Sequence, residues 1–163
     1  MPVSQSVVQD LVERDAIQRL MIRYLNANDA HDWDGVVSCF AEKGSFGTVV
    51  GRAALREMFG QVRKDRSARL MPVDEVKQAT HVLSNVEIEL NGDTAKGFSV
   101  ARSYLLGRRE SEIVLLVRGF TYDDELIKEH GEWRISKRIH TLKWMFETRP
   151  IQSTPELRYL DAF

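Results

Sequence analysis

The dipeptide Asn91-Gly92 lies between two long stretches, HVLSNVEIEL before it and DTAKGFSVARSYLL after it, in which apolar and polar residues largely alternate. Asn-Gly in that setting is the strongest short-range signal for a β-hairpin closed by a primed turn. A two-residue Asn-Gly loop sets His81, which opens the first strand, opposite Arg102 unless a bulge intervenes. Strict alternation then puts His81, Leu83 and Asn85 on one face, with Val82, Val86, Ile88 and Leu90 on the other. Two further segments, SEIVLLVRGFTYDDEL and EWRISKRIHTLKWMF, read as long strands joined through Glu129-His130-Gly131. In the last strand Arg138, His140 and Leu142 share one parity, and Lys137, Ile139 and Thr141 the other. Arginine and histidine on one face mean either a solvated surface or a polar-lined cavity, and the local sequence leaves both open.

The first half has a different period. Val8, Leu11, Val12, Ala16, Ile17, Leu20, Met21, Tyr24 and Leu25 recur at helical spacing across residues 7–28. A short second helix follows, with Asp32 as its N-cap and Val36, Val37, Cys39 and Phe40 on or near its buried side. GRAALREMFGQV, residues 51–62, has the spacing of a third helix. Helices first and a meandering antiparallel sheet second predict an α+β domain, with helices covering one face of a curved sheet. No linker, repeat or low-complexity segment divides residues 1–150, so a single domain is expected there. The tail 151–163, IQSTPELRYLDAF, keeps Leu157, Tyr159, Leu160 and Phe163 and is expected to pack on its own domain or on a neighbouring subunit.

Charge and composition narrow the functional classes. The 163 residues carry 23 basic and 24 acidic side chains, so no electrostatic capture of nucleic acid or an anionic membrane is expected. The one basic cluster, RKDRSAR at 63–69, has no interleaved aromatic platform and reads as a solvated loop. Cys39, the sole cysteine, lies in an apolar run with no adjacent cation to activate it, so a buried structural thiol is expected. The start MPVSQSVVQD lacks the basic and long apolar regions of a signal peptide, and no apolar run reaches the ~20 residues of a membrane span. A cytoplasmic protein is the expectation.

The polar stretch YLNANDAHDWDG, residues 24–35, raises the question of chemistry. At 100° per residue Asp29 falls on the side of Met21, Ile22 and Leu25, toward the core, if the first helix continues that far. Asp32 and Asp34 flank the start of the next helix, where carboxylates satisfy free backbone N–H groups and the positive end of the dipole. His31 and His130 fall in predicted loops and are expected to be exposed. Tyr24 adds a hydroxyl donor on the helix of Asp29, although aromatic core packing also accounts for it. No Cys/His pairing, HExxH, calcium-loop spacing, glycine-rich phosphate loop or nucleophile elbow is present, so neither a metal nor a cofactor is expected.

Several segments together resemble the SnoaL-like branch of the nuclear transport factor 2-like superfold, which includes ketosteroid isomerase, scytalone dehydratase and the lindane dehydrochlorinase. They are RDAIQRLMIRYLNANDAHDWDGVVSCFAEKGSF, GRAALREMF, THVLSNVEIELNGDTAKG, FTYDDEL and GEWRISKRIHTLKW, in the family's order across most of residues 13–146. The resemblance implies a cone-shaped α+β barrel. It also implies that Asp29 and His81 match an aspartate and a histidine that face each other inside the cone. Arg138 matches a cavity arginine of the dehydrochlorinase, His140 shares its face, and Phe46 matches a cavity aromatic, with Leu83 lining the same space. Departures occur at Leu105 and Thr48, which replace a second histidine and a catalytic tyrosine of scytalone dehydratase, and at Tyr24, where the dehydrochlorinase has a lysine. Tyr24, Asp29 and His81 are similar in spacing to the set of a bile-acid dehydratase.

The implied activity is a cofactor-independent dehydratase-like lyase acting on a small hydrophobic cyclic or polyketide-like molecule. Asp29 and His81 would supply an acid/base pair, and Tyr24, Arg138 or His140 would stabilise developing negative charge. The alternatives are a polyketide cyclase or a ketosteroid-type isomerase with Asp29 as base, and a non-catalytic ligand-binding or dioxygenase-subunit-like protein. The resemblance also implies a homo-oligomer, a trimer before a dimer.

Overall fold

The computed structural model describes residues 4–62 and 75–149; the basic cluster at 63–69 and the tail at 151–163 lie outside the described residues. Helix α1 spans Gln5–Asp29, α2 Trp33–Ser38 and α3 Arg52–Val62. The strands are β1 Phe40–Phe46, β2 Val49–Val50, β3 Glu75–Asn91, β4 Thr94–Arg109, β5 Glu112–Glu129 and β6 Glu132–Thr148. Together they form one six-stranded sheet in the order β2-β1-β6-β5-β4-β3. All neighbours are antiparallel except β1 and β6, which run parallel. The expected α+β architecture is present, with one refinement: the sheet is strongly curved but keeps two open edges, and the cone is completed by helices rather than by strand closure.

Helix α1 starts at Ser4, whose hydroxyl accepts from the Val7 N–H. It buries Ile17, Leu20, Met21, Tyr24 and Leu25. Its first turns differ from expectation, for Val8, Leu11 and Val12 are exposed. Just beyond them Glu13 ties the helix to the sheet, accepting from Lys128 Nζ and Trp133 Nε1, both at 2.6 Å. Those bonds, the one from Lys128 foremost, lower the Glu13 pKa to about 2. Asp32 caps α2 as predicted by accepting from the Gly35 N–H at 2.8 Å, and Asp34 pairs with Arg56 of α3. Cys39 is a buried free thiol. β1 and β2 were not evident from pattern; β1 begins directly at the end of α2, and Arg52 holds the turn by donating twice to the Phe40 carbonyl.

The long meander turns at three two-residue loops. At His130-Gly131 both φ values are positive, the type I′ signature. The first hairpin turns one residue later than predicted, at Gly92-Asp93, so that Asn91 pairs with Thr94. A bulge between Ser84 and Glu87, with Asn85 at φ 47°, shifts the register again. His81 therefore pairs with Ser103, not Arg102, and it lies inside β3 rather than at its start. The bulge also reverses the parity, so Leu83 packs on the core together with Val86, Ile88 and Leu90, while Val82 is exposed. On β6 the Arg138, His140 and Leu142 parity is the inward one: Arg138 is 1% exposed, whereas Ile139 faces outward.

Gly44 shows how closely β1 is seated on β6. A Cβ there would lie 2.6 Å from the Ile135 carbonyl oxygen and 3.0 Å from that of Ala41, both backbone atoms. Gly44→Ala is expected to destabilise by about 1–3 kcal/mol. Urea unfolding should show this as a lowered midpoint with an unchanged slope.

Candidate active site

Asp29 is the last residue of α1, and the helix brings its carboxylate to the open edge of β3. There Oδ1 lies 2.6 Å from His81 Nδ1, and Oδ2 accepts from the His81 backbone N–H at 2.8 Å. One side chain thus grips one residue twice. The bond directs the Nδ1 proton toward the carboxylate and turns Nε2 away from it. The His81 ring stands T-shaped against Phe120, at 6.1 Å between centroids. Beside the pair, a groove of about 480 Å³ runs between α1 and β3, lined by Ile22, Leu25, Asn26, His81, Leu83 and Val86 among others.

From His81 a series of rings leads inward. Phe120 lies 4.6 Å from His140, which lies 5.5 Å from Tyr122 and 6.2 Å from Phe46, the last stacked. Phe46 contacts Phe59 of α3 edge to face. His140 is largely buried, and burial first, then the charges of Arg118 and Arg138, lower its pKa to about 4. It is therefore neutral at pH 7, and its Nε2 lies 3.5 Å from Arg118 Nη2. Trp33, Phe59 and Tyr24 fill the helix side of the same interior.

Arg138 occupies a second polar centre. Its Nε and Nη2 donate to the two oxygens of Asp124 at 2.7 and 2.6 Å, and its guanidinium lies between the Tyr24 and Tyr122 rings, 4.2 and 4.1 Å from their centroids. Burial works against the guanidinium charge, but Asp124 more than offsets it and keeps the group protonated. Burial also raises the Tyr24 and Tyr122 pKa values, so both phenols stay protonated. Arg138 Nη1 is buried without a hydrogen-bond partner among the described residues.

Of the residues singled out from sequence, the structure joins Asp29 to His81 and joins Phe46 to His140. It places Leu83 two residues from His81 on the same face, and holds Tyr24 with Arg138 in the deeper centre. The row of His81 and the row of Arg138 are six residues apart along β5, about 20 Å of strand. Sequence reasoning missed Asp124, Tyr122, Phe120, Arg118 and Ser103. Inward parity on β5 could have found four of these, had the register been known. His31 is exposed and stacks on Trp33, and His130 is exposed in its turn. Among the described residues no three His, Cys, Asp or Glu side chains converge as a metal site requires. No described helix is long and apolar enough to cross a membrane.

Helices laid over a curved sheet with a carboxylate-bound histidine at the rim of an aromatic interior define a cone-type α+β protein with an internal polar site. The chain belongs to the SnoaL-like domain family, which matches residues 9–139. An uncharacterised protein of Mycobacterium tuberculosis is 24% identical over 134 residues, covering 82% of this chain and 88% of its own length. Among solved structures, a protein of unknown function from the same organism is 28% identical with a TM-score of 0.65, covering 82% of this chain and 77% of the other. A candidate scytalone dehydratase from Novosphingobium aromaticivorans has a TM-score of 0.71 at 19% identity, covering 91% and 96%. A hexachlorocyclohexane dehydrochlorinase has the same TM-score at 17% identity, covering 91% and 97%. At those identities the last two establish the fold alone.

Two measurements test this geometry. Asp124→Ala leaves a buried guanidinium unpaired and should cost about 3–5 kcal/mol, whereas Asp124→Leu combined with Arg138→Met should recover most of that loss in urea unfolding. For His140, the native pKa of about 4 lies below the ordinary 6.5, so the folded state binds fewer protons than the unfolded state between those values. Its contribution to stability is whole above pH 6.5 and is lost as pH falls toward 4. The stability difference between the parent chain and His140→Phe should shrink over that window, and a ring proton resonance titrating near 6.5 would contradict the assignment.

Proposed function

We propose that the chain is a cofactor-independent lyase of dehydratase type, with His81 as the base and Asp29 as the carboxylate that orients it. The observation that supports this reading is the double use of Asp29, whose two oxygens are both engaged by His81. A carboxylate held in that way is occupied, which favours His81 over Asp29 as the group that meets substrate. The cyclase and isomerase alternatives, in which Asp29 is the base, are correspondingly less well matched. The names of the two dehydratase-like neighbours, both eliminating enzymes, agree with the reaction type.

His81 Nε2 would take a proton from a carbon next to a carbonyl, and the electrons of that C–H bond would form a double bond as a β-hydroxyl departs. Asp29 stabilises the imidazolium formed, which then returns the proton to the leaving hydroxyl to give water. Tyr24 and Arg138, whose row lies six residues along β5 from that of His81, would meet a distal polar group of the substrate rather than the carbonyl beside the reacting carbon. Phe46, Leu83 and the neutral His140 would form the walls for a small hydrophobic cyclic or polyketide-like molecule. The chemistry asked of the pair, about 10²–10⁴-fold from positioned acid/base catalysis, suits an activated substrate.

Proton abstraction can be tested before the leaving group is known. Deuterium uptake at the α-carbon of cyclic ketones such as 1-tetralone and 4-chromanone, followed by NMR in D₂O, should fall by about 10²–10⁴ in His81→Ala and in Asp29→Asn. Full exchange by folded His81→Ala would remove His81 as the base. No exchange with any ketone by the parent chain would favour a non-catalytic ligand-binding role.

We also propose a homotrimer, with a dimer as the alternative assembly. In support, the outer sheet face carries exposed Phe98, Ile139, Trp144 and Phe146. Light scattering on the full chain should give the trimer mass, and a chain ending at Pro150 should lose it if the tail helps to join subunits.

A further inference from the structure

The outer face of the sheet is laid out in register rows that cross β3, β4, β5 and β6. Val82, Arg102, Gly119 and Trp144 form one row, and Thr80, Tyr104, Val117 and Phe146 the next. Trp144 lies flat on Gly119, where a Cβ would collide with its ring, and it stacks on Phe146 at 5.9 Å between centroids. Val82, Trp144 and Phe146 are each about half exposed. Arg102 brings a cation into this apolar belt. It is exposed, and among the described residues no hydrogen bond or ion pair engages it.

Four residues back along β4 the face changes character. Glu87, Phe98, Asp123 and Ile139 form one row, and Glu89, Lys96, Glu125 and Lys137 the row beyond it. These two rows line a hollow of about 450 Å³. Glu125 is taken by Lys137 at 2.9 Å. Glu87 and Asp123 flank Phe98 and have no partner among the described residues. At ~3.3 Å per residue the row of Arg102 is about 13 Å from theirs, farther than an arginine side chain reaches. One copy therefore cannot join its own arginine to its own hollow.

We infer that the outer face is the contact between copies of this chain, with Arg102 of one copy seated in the hollow of the next, over Phe98 and between Glu87 and Asp123. The inference rests on the proposed homo-oligomer and names the contact that holds it. Covering the apolar belt takes water away from Arg102, and a desolvated charge persists only where an opposite charge meets it. The hollow offers two carboxylates, and the face of Phe98 adds a cation–π contact. The rows from Lys96 to Tyr104 run ~27 Å along four strands that are together ~19 Å wide, roughly 500 Å² per copy. The total of about 1,000 Å² is the size at which a specific interface begins. Because the arginine and the hollow lie on one face, every copy can give one and receive one, reciprocally in a dimer or in sequence around a trimer.

Sedimentation velocity on the full chain tests the contact. Arg102→Glu should raise the dissociation constant of the assembly by about tenfold or more, and Glu87→Lys combined with Asp123→Lys should do the same. All three substitutions in one chain exchange the signs of knob and hollow, and should bring the constant back to within about threefold of the parent's. Arg102→Met separates a charge contact from plain apolar association. It makes the belt more apolar, so a face that associates by burial alone would bind more tightly; two stranded carboxylates should instead loosen it by about tenfold. A parent chain that is monomeric at about 0.1 mM would overturn the assembly and this contact together. An oligomeric parent whose Arg102→Glu or Arg102→Met variant keeps or tightens the dissociation constant, with a urea midpoint that shows it folded, would overturn the contact and leave the assembly standing. A folded triple variant that stays apart would overturn the contact as well.

Discussion

Side chains alternate strictly along a strand, so one inserted residue moves everything beyond it to the opposite face. In strands of sixteen to eighteen residues that rule governs the whole interior. The bulge at Asn85 brings His81 and Leu83 to the face already used by Val86, Ile88 and Leu90. A second irregularity, between Glu125 and Leu126 on β5, leaves Ser136 as the extra residue on β6 and pairs Arg138 with Asp124. Without it the arginine would face Asp123, which is exposed. The ion pair and the dyad both depend on where these single residues are placed.

The two polar centres differ in what they ask of the fold. Arg138 and Asp124 are both sealed, so their desolvation is set against a bidentate contact and two aromatic faces, and removal of either partner strands a charge. Asp29 and His81 sit at the rim, beside a groove, and keep partial access to solvent. One centre is built to stay as it is, and the other is built to be approached. The neutral His140 and the ring of Phe120 separate them and allow each to hold its own protonation state.

The order of helices then strands, the caps of α2, the buried thiol and the hairpin were legible because each rests on local chemistry: a period, an N-cap aspartate, an Asn-Gly pair. Asp29 and His81 were singled out because the pattern of motifs resembled a known family; their bond depends on contact between residues 52 positions apart. The register was not legible. Counting from Asn91-Gly92 places His81 opposite Arg102, and neither the one-residue shift of the turn nor the bulge at Asn85 has a sequence mark stronger than an asparagine that tolerates positive φ. Asp124 was hidden for the same reason, since FTYDDEL offers two adjacent aspartates and only the bulge opposite decides which one turns inward. The exposed start of α1 was also misread, because an apolar stripe shows that a helix has a face to cover but not what covers it.

The backbone bond from His81 to Asp29 has a consequence beyond chemistry. β3 is an outer strand of the described sheet, and outer strands carry backbone donors that can recruit a strand from another chain. At His81 that donor is already taken by a carboxylate delivered by α1, which also brings a negative charge to the rim. The same aspartate that orients the imidazole therefore guards the sheet against unwanted neighbours. Selection for solubility would act on this position whether or not a reaction takes place beside it, so an aspartate there does not by itself mark an active enzyme.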